Sequence, residues 1–569
     1  MRQLPALFGV GTVVLCYLTL RVSGVHQIIA YFTAALLIVE NANITVSRYI
    51  LLDSPLIFFI AASAYSLKKL EIAKPFSFTW YKALIASGIS LGLSISSKWV
   101  GLFTIAWAGC ITIYNLLFVI SDLKVSAKQV TAQIALKGSA LLGLPLVIYL
   151  LTFYIHLSVL TKEGDGAPFM SPAFRSSFED SPIPKQAYAD VGVSSVVTLR
   201  HVNTRGGYLH SHDFLYEGGS KQQQITLYPH LDNNNKWSIE LYNVSGEPFE
   251  FVPITDGTKI RLKHLMTSRR LHSHDVRPSV SEMDWQNEAS CYGYDGFEGD
   301  PNDDFVVEIV KKHSVPGIAQ ERLRAIDTVF RLHHAMTGCY LFSHETKLPK
   351  WGFEQQEVTC ATQGIDSLGY WVIEENTNVY LDRDAEKVSY KPLSFLQKVM
   401  ELHKVMWKVN SNLDGHHEYQ SSPDSWPVLI RGIAYWSQGD RAVYLLGNPI
   451  IWWLASFIVI PYAIFVVAQL LKWQFGYQII TLTDPAVFNF ASNSAIFFLG
   501  WLLHYGPSFL MTRQLFLHHY LPALYFSILA LGQSFELFYS YIFSSRKFIV
   551  YALLGLYLSA CSWILGLQL

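Results

Sequence analysis

The chain has 569 residues, 51% of them hydrophobic and 15% charged, with a formal net charge of −1. That length and apolarity exclude a single soluble domain. The near-zero charge leaves no electrostatic case for nucleic acid as a partner.

Charge is unevenly spread: residues 1–158 and 443–569 are mostly apolar runs, and the stretch between them is polar, Gly-rich and turn-rich. A helix needs about 20 mainly apolar residues to cross a bilayer. Ten such spans are predicted, at 4–21, 25–42, 50–67, 82–97, 100–120, 138–159, 446–471, 485–504, 517–537 and 547–567. The weakest are 82–97, which is short and Ser-rich, and 485–504, which carries Asn489 and Asn493. Met1-Arg2-Gln3 runs straight into an apolar stretch like a signal peptide, but no Ala-x-Ala-like cleavage site follows, so the run reads as a span.

Lys68, Lys69, Lys74, Lys82, Lys124, Lys128, Lys137, Lys472, Arg546 and Lys547 all fall in loops on one side of this ten-span arrangement. Cytosolic loops carry the excess of cations, so that side is cytosolic, and both chain ends and residues 160–442 are extracytoplasmic. The expected organisation is six spans over 1–159, a connector at 160–189, a β domain at 190–382, a second connector at 383–445 and four spans over 446–569.

Ionisable residues at the membrane edge are costly and mark function. Here they gather on the extracytoplasmic side: Arg2, then Glu40, Arg48 and Asp53 between the second and third spans, then Lys98 between the fourth and fifth. His504, Tyr505, Arg513, His518, His519 and Tyr520 follow between the eighth and ninth. Cations on the face where few are expected imply an anion, and a phosphate at the membrane surface suits Arg and Lys. Blander readings are that Glu40 or Asp53 pairs with Arg48, that Lys98 snorkels, and that His518 and His519 are interfacial with their tips in water.

The polar segment carries three copies of one signature, Leu-His-Ser-His at 209–212 and 271–274 and Leu-Phe-Ser-His at 341–344. Each is followed by a Gln- or Glu-rich run and closes on a large aromatic, Trp237, Phe305 or Trp371. A unit of about 65 residues that cannot bury its own face packs against its siblings, which predicts one closed pseudo-threefold β domain. His212, His274 and His344 invite a zinc reading, but no carboxylate or cysteine recurs at ligand spacing in all three copies, so no metal is expected. Either the Ser and His side chains close turns and bond backbone within each repeat, or they line a shallow surface for carbohydrate or peptide.

Cys16, Cys110 and Cys561 lie in spans as apolar filler. Cys339 and Cys360 flank the third signature and could form a disulfide between neighbouring strands; the equivalent of Cys339 in the second repeat is Arg269, which leaves Cys291 without a partner. Asn243-Val-Ser245 is a glycosylation sequon in the polar segment, and Asn43-Ile-Thr45 a second one against the membrane. There is no Gly-x-Ser-x-Gly elbow, phosphate-binding loop or His-Glu-x-x-His.

Several longer strings are Glu40-Asn-Ala-Asn-Ile-Thr-Val-Ser-Arg-Tyr-Ile-Leu-Leu-Asp-Ser54, Ser96-Ser-Lys-Trp-Val-Gly101 and Gly218-Gly-Ser-Lys-Gln-Gln-Gln. Others are Trp351-Gly-Phe-Glu-Gln-Gln-Glu-Val-Thr-Cys360, Pro507-Ser-Phe-Leu-Met and Leu517-His-His-Tyr-Leu-Pro522. Together they resemble the fungal protein O-mannosyltransferases, GT-C type membrane glycosyltransferases of the endoplasmic reticulum, and within them the first subfamily. The repeats resemble MIR motifs, which implies a β-trefoil inserted in an α-helical polytopic protein. The resemblance implies inverting transfer of mannose from dolichyl phosphate mannose to Ser or Thr hydroxyls of secretory proteins, without a cofactor, in a heterodimer with a second-subfamily subunit. The extracytoplasmic cluster would supply the donor-phosphate contacts, from Arg48, Lys98, Arg513, His518 and His519 with Glu40 and Asp53 as supporting carboxylates, and Arg2 matches the family's functionally important Arg at the start of its second span. The family's base is an Asp-Glu pair in the luminal loop after its first span, ahead of the residue matching Arg2, so the sequence is expected to be part of a longer protein. The alternative is a non-catalytic subunit whose MIR domain binds glycan or client protein. An ion or lipid transporter is disfavoured, because there is no inverted repeat.

Overall fold

The computed structural model of the chain describes residues 3–204, 206–242, 248–281, 283–413, 415–439, 441–480 and 483–568. Arg2 and the sequon residue Asn243 lie outside the described residues. The chain divides into two compact units, 1–158 with 406–569, and 159–405. The boundary at 405/406 splits the expected 383–445 connector, whose second half groups with the helices.

In the first unit, seven helices among the described residues are long and apolar enough to cross a membrane: Gln3–Val22, Gly101–Ser121, Ala127–Val159, Pro449–Gln474, Pro485–Leu510, Leu517–Ile542 and Lys547–Gln568. The span expected at 25–42 is broken. Helices Gln27–Ile38 and Asn41–Arg48 meet at 59°, because the Glu40 carboxylate turns back to cap the second helix by accepting from the Ala42 and Asn43 N–H groups. The spans expected at 50–67 and 82–97 are the 20-residue helices Asp53–Ile72 and Phe78–Ser97, which fall short of the seven in apolarity. In the second of these, Ser87, Ser90, Ser94, Ser96 and Ser97 each donate to a carbonyl three or four residues earlier. Their polarity is therefore satisfied within the helix and costs little in an apolar setting. Small residues also allow close packing: a Cβ on Gly88 would lie 2.2 Å from the Ala140 carbonyl oxygen.

The second unit is built from the three repeats. Strands Val196–His201, Lys236–Leu241, Lys259–His264, Phe305–Ile309, Phe330–His334 and Trp371–Thr377 pair in an antiparallel ring that closes on itself. Three hairpins, Tyr208–Leu215 with Gln223–Tyr228, Arg270–Ser273 with Gln286–Tyr292, and Tyr340–Phe342 with Thr359–Ala361, join one another over one end. The short strand Gln356–Glu357 completes that triangle against Gln223–Tyr228. Six barrel strands plus three capping hairpins make a β-trefoil, and the closed ring leaves no free sheet edge. Its core holds Trp237, Phe305 and Trp371, each fully buried.

The signature serines behave as the turn-closing reading expects: Ser211, Ser273 and Ser343 donate across their hairpins to the Gln224, Glu288 and Glu357 carbonyls at 2.7, 2.9 and 2.7 Å. The signature histidines do not share that role. His210 and His272 reach side chains, Asn235 at 2.7 Å and Asp303 at 2.8 Å. A different histidine set anchors the barrel. His201, His264 and His334 each bond the hydroxyl three residues on (Thr204, Thr267, Thr337) through Nδ1, and a carbonyl of another loop (Leu368, Asn234, Asn302) through Nε2.

Burial pushes His201 and His264 down to about 4, against the opposing pull of their carbonyl partners, and lowers His334 in the same way. A histidine whose folded pKa is depressed stabilises the fold above its unfolded value near 6.5, and that stability is lost as pH falls from there through about 4. Acidifying to pH 4 should therefore cost the β domain roughly 3 kcal/mol for each of His201 and His264. Thermal melts of the protein at pH 7, 6, 5 and 4 check this; a midpoint for the β domain that stays level would refute it.

Cys339 and Cys360 form a disulfide across the third hairpin, while Cys291 is buried and free. The bridge closes a separation of 21 residues, which by loop-closure entropy stabilises by about 3 kcal/mol. Cys360→Ala should lower the unfolding free energy of the β domain, measured by denaturant titration, by that amount under oxidising conditions, and reductant should then have no further effect. The chain is thus a polytopic helical membrane protein with an inserted β-trefoil.

Candidate functional site

The turn joining helices Phe78–Ser97 and Gly101–Ser121 is tight, with the Gly101 N–H donating to the Lys98 carbonyl at 2.9 Å. A Cβ at Gly101 would lie 2.4 Å from the Ile95 nitrogen and 2.5 Å from the Ser94 carbonyl carbon. Only glycine allows the chain to turn there, and the turn is what presents Lys98. Its Nζ donates to Asp53 Oδ1 at 3.1 Å, and Asp53, 8% exposed, opens the helix Asp53–Ile72.

The expected pairing of Arg48 with Glu40 or Asp53 does not form. Asp53 is met by Lys98, and Glu40 is fully buried, accepting from the backbone N–H groups of Ala42 (3.2 Å), Asn43 (2.6 Å) and Asn448 (3.0 Å). Glu40 therefore locks a helix start to the strand-to-helix joint at Asn448. Arg48 ends its own short helix, is exposed, and makes no ion pair among the described residues. Its neighbour Tyr49 packs on Tyr435 with ring centroids 5.1 Å apart.

The segment 513–520 supplies the other side. Arg513 donates from Nη1 to the Asn410 side-chain oxygen and has no carboxylate partner among the described residues. His518 and His519 stack with centroids 4.4 Å apart, and His519 lies parallel to Trp426 at 6.2 Å and 14°. His519 Nδ1 is held by Phe516, whereas His518 Nδ1 is buried without a hydrogen-bond partner. Both rings are half-buried, packed by Phe516 and, for His519, by Trp426 as well. The charges of Asp53, Lys98 and Arg513 all reach the His518 ring, and those of Lys98 and Arg513 reach His519.

The neighbouring candidates are braces. His504 is buried between the Thr104 hydroxyl (3.0 Å) and the Gly500 carbonyl (2.8 Å). Tyr505 donates to the Pro423 carbonyl, and the Tyr520 hydroxyl bonds Ser456 and Trp501. Three residues that touch these segments escaped the sequence reading: Asn410, Trp426 and Tyr435. The one signal for them is aromatic side chains recurring in the polar stretch ahead of the helix Pro449–Phe457.

In the trefoil, His212 sits edge-on between Phe214 and Phe353, both at 5.1 Å, and borders a cavity of about 830 Å³ lined also by His210, Asp232, Lys347 and Gln355. His344 Nε2 lies 3.2 Å from the Ser281 hydroxyl, and His274 packs on His272 at 5.0 Å. Burial lowers all three below the ordinary histidine range. His272, Asp300 and Asp303 come within 4.8 Å of one another, a carboxylate grouping the repeat pattern does not anticipate. Hydrogen bonds account for it: Asp303 accepts from His272 and from the Asp300 N–H, and Asp300 accepts from the Asn302 N–H. The corresponding positions are Asp232 and Asn235 in the first repeat and Asp366 and Gly369 in the third.

Three family models match in order along the chain: dolichyl-phosphate-mannose-protein mannosyltransferase over residues 1–161, the MIR domain over 207–373, and the C-terminal four-span region of protein O-mannosyltransferase over 395–566. The chain is 57% identical over 561 residues to dolichyl-phosphate-mannose–protein mannosyltransferase 1 of Candida albicans, covering 98% of this chain and 64% of that one. It is 54% identical over 562 residues to the Saccharomyces cerevisiae protein of the same name, covering 98% and 68%. It thus spans about two thirds of the length of these relatives. Among solved structures it resembles the S. cerevisiae protein O-mannosyltransferase Pmt1-Pmt2 complex bound to the sugar donor, with a TM-score of 0.92 and 53% identity over 100% of this chain and 77% of that one. By these matches the chain belongs to the dolichyl-phosphate-mannose–protein mannosyltransferase family.

Proposed function

We propose that the protein transfers mannose from dolichyl phosphate mannose to Ser and Thr hydroxyls of secretory and membrane proteins in the lumen of the endoplasmic reticulum, with inversion. It does so as one half of a heterodimer with a second-subfamily subunit. The observation that carries this reading is the likeness, along the whole chain, to a complex described as bound to the sugar donor. The cations Lys98 and Arg513 support it physically. A departing dolichyl phosphate needs cations to hold its charge, and Arg513 offers a guanidinium fork not already committed to a carboxylate. On this reading Arg2 and Arg48 complete the phosphate contacts, the lysine-bearing loops are cytosolic, and the trefoil, within 190–382, is luminal. His212, His274 and His344 then mark a trefoil surface that handles acceptor.

Attack by a hydroxyl also needs a base. Glu40 is tied to three N–H groups and Asp53 to Lys98, so neither carboxylate is free to serve as that base. The same observation favours a second reading, a non-catalytic subunit whose partner does the chemistry. The test is mannosyl transfer to an acceptor peptide by the purified heterodimer after the partner's acidic pair is replaced. Transfer that survives supports catalysis by this subunit; complete loss supports the passive one.

A further inference from the structure

The helix Phe395–Ser411 is too short to cross a bilayer at 17 residues, and Lys398, Glu401, Lys404 and Lys408 are spread along it. As one unbroken helix it is unequal around its circumference. One side is committed within the fold: Glu401 accepts from the Ser171 N–H at 2.5 Å and from its hydroxyl at 2.8 Å, Lys398 donates to the Ser177 hydroxyl at 2.9 Å, and Val399 is buried. The other side carries Leu396, Met400 and Trp407, which are 59%, 59% and 70% exposed. At positions i, i+4 and i+11 they fall within about 40° of one another around the axis and make a single stripe. Lys404 and Lys408, four residues apart and both exposed, run along one edge of it.

What covers the stripe follows from where it leads. The Trp407 ring lies 6.5 Å from that of Trp99, and Trp99 stands two residues ahead of Gly101–Ser121, one of the helices long and apolar enough to span. Tryptophan at the end of a span belongs to the headgroup layer, so one end of the stripe already reaches that layer. A helix with Trp and large apolar side chains on one face and lysines beside them lies in the plane of the interface, with its apolar face in the acyl boundary and its ammonium groups on lipid phosphates. We propose that Phe395–Ser411 is an interfacial helix: Leu396, Met400 and Trp407 dip into the leaflet at that end of the spans, and Lys404 and Lys408 meet the phosphates of anionic phospholipid. Asn410, three residues beyond Trp407, holds Arg513, so a helix seated among headgroups sets that guanidinium at the level of a lipid-borne phosphate. The depth of Arg513 matters only under the donor reading above; the membrane seat is independent of it.

The test reads the surroundings of the stripe in the purified heterodimer, reconstituted in nanodiscs of phosphatidylcholine with phosphatidylserine. Nitroxide labels are placed singly at Leu396→Cys and Met400→Cys, over a Cys110→Ala background because Cys110 is the exposed free thiol among the described residues. Leu117→Cys, exposed on the span Gly101–Ser121, gives the lipid reference, and Lys312→Cys, exposed on the trefoil, the water reference. Oxygen concentrates in the acyl region and a nickel chelate stays in water, so the oxygen-to-nickel collision ratio at 396 and 400 should exceed the water reference about threefold or more. In discs of phosphatidylcholine alone that excess should fall about twofold, and Lys404→Gln with Lys408→Gln should abolish the difference between the two lipids. A nickel preference at 396 and 400 would put the stripe in water, and exclusion of both reagents would put it under a protein partner; either overturns the seat. The same excess in both lipids with the lysines intact would overturn the lysine contacts. Failure of the donor reading would show separately, as a wild-type heterodimer that transfers no mannose from dolichyl phosphate mannose.

Discussion

Arg513→Ala should lower mannosyl transfer about 100-fold, the scale seen when one preorganised donor to a developing anion is removed, while the thermal midpoint moves little. The contrast with Lys98 explains the choice. Lys98 neutralises Asp53, whose side chain is 12% exposed, so Lys98→Ala would strand a nearly buried carboxylate and destabilise the protein as well. Any lost activity would then be ambiguous. Arg513 holds the Asn410 side-chain amide oxygen and the Gln514 carbonyl, both neutral, and its loss leaves no charge unpaired. Arg513→Lys should recover part of the rate, since the ammonium restores a point charge but not the two-pronged fork. Activity of Arg513→Ala within threefold of wild type, measured with donor well below KM, would remove Arg513 from the phosphate site.

Much of this arrangement was legible in the sequence because it is local. The signature Leu-x-Ser-His is contiguous, and the serine in it closes its own hairpin, so three copies were enough to predict a pseudo-threefold β domain. Spans were legible wherever apolarity is continuous. They blurred where polarity is absorbed inside the helix, as by the serines of Phe78–Ser97, or where a carboxylate caps a break, as Glu40 does. What escaped is separated in sequence. Asp53 meets Lys98 from 45 residues away, and no local rule prefers it to Arg48, five residues off. Trp426 reaches His519 across about twice that separation, and Tyr435 comes to Tyr49 on a hairpin whose register no pattern of hydrophobicity announces. The barrel anchors His201, His264 and His334 also recur with a threonine three residues on. That motif is gapped and lies just ahead of the more conspicuous signature, which drew attention to the wrong histidines for the fold.

Trp371→Ala should destabilise the β domain by about 4 kcal/mol, within the usual cost of emptying a large aromatic site, and should expose it to proteolysis at temperatures the wild type tolerates. Trp371 is fully buried, its ring lies 5.0 Å from the anchor His201, and its Nε1 donates to the Leu341 carbonyl at 3.0 Å. Trp237 repeats the pattern with His264 and the Leu209 carbonyl. The second repeat solves the same problem differently: Phe305 packs on His334 at 5.0 Å and has no N–H to offer. Trp371→Phe therefore installs in the third repeat the side chain that the second already uses. It forfeits one hydrogen bond and a modest volume, so it should cost about 1–2 kcal/mol, at most half the alanine penalty. If the two variants were equally unstable by urea denaturation, ring packing against the anchor histidine would not be what holds the repeats together, and the N–H···O bond to the signature leucine would have to carry that role.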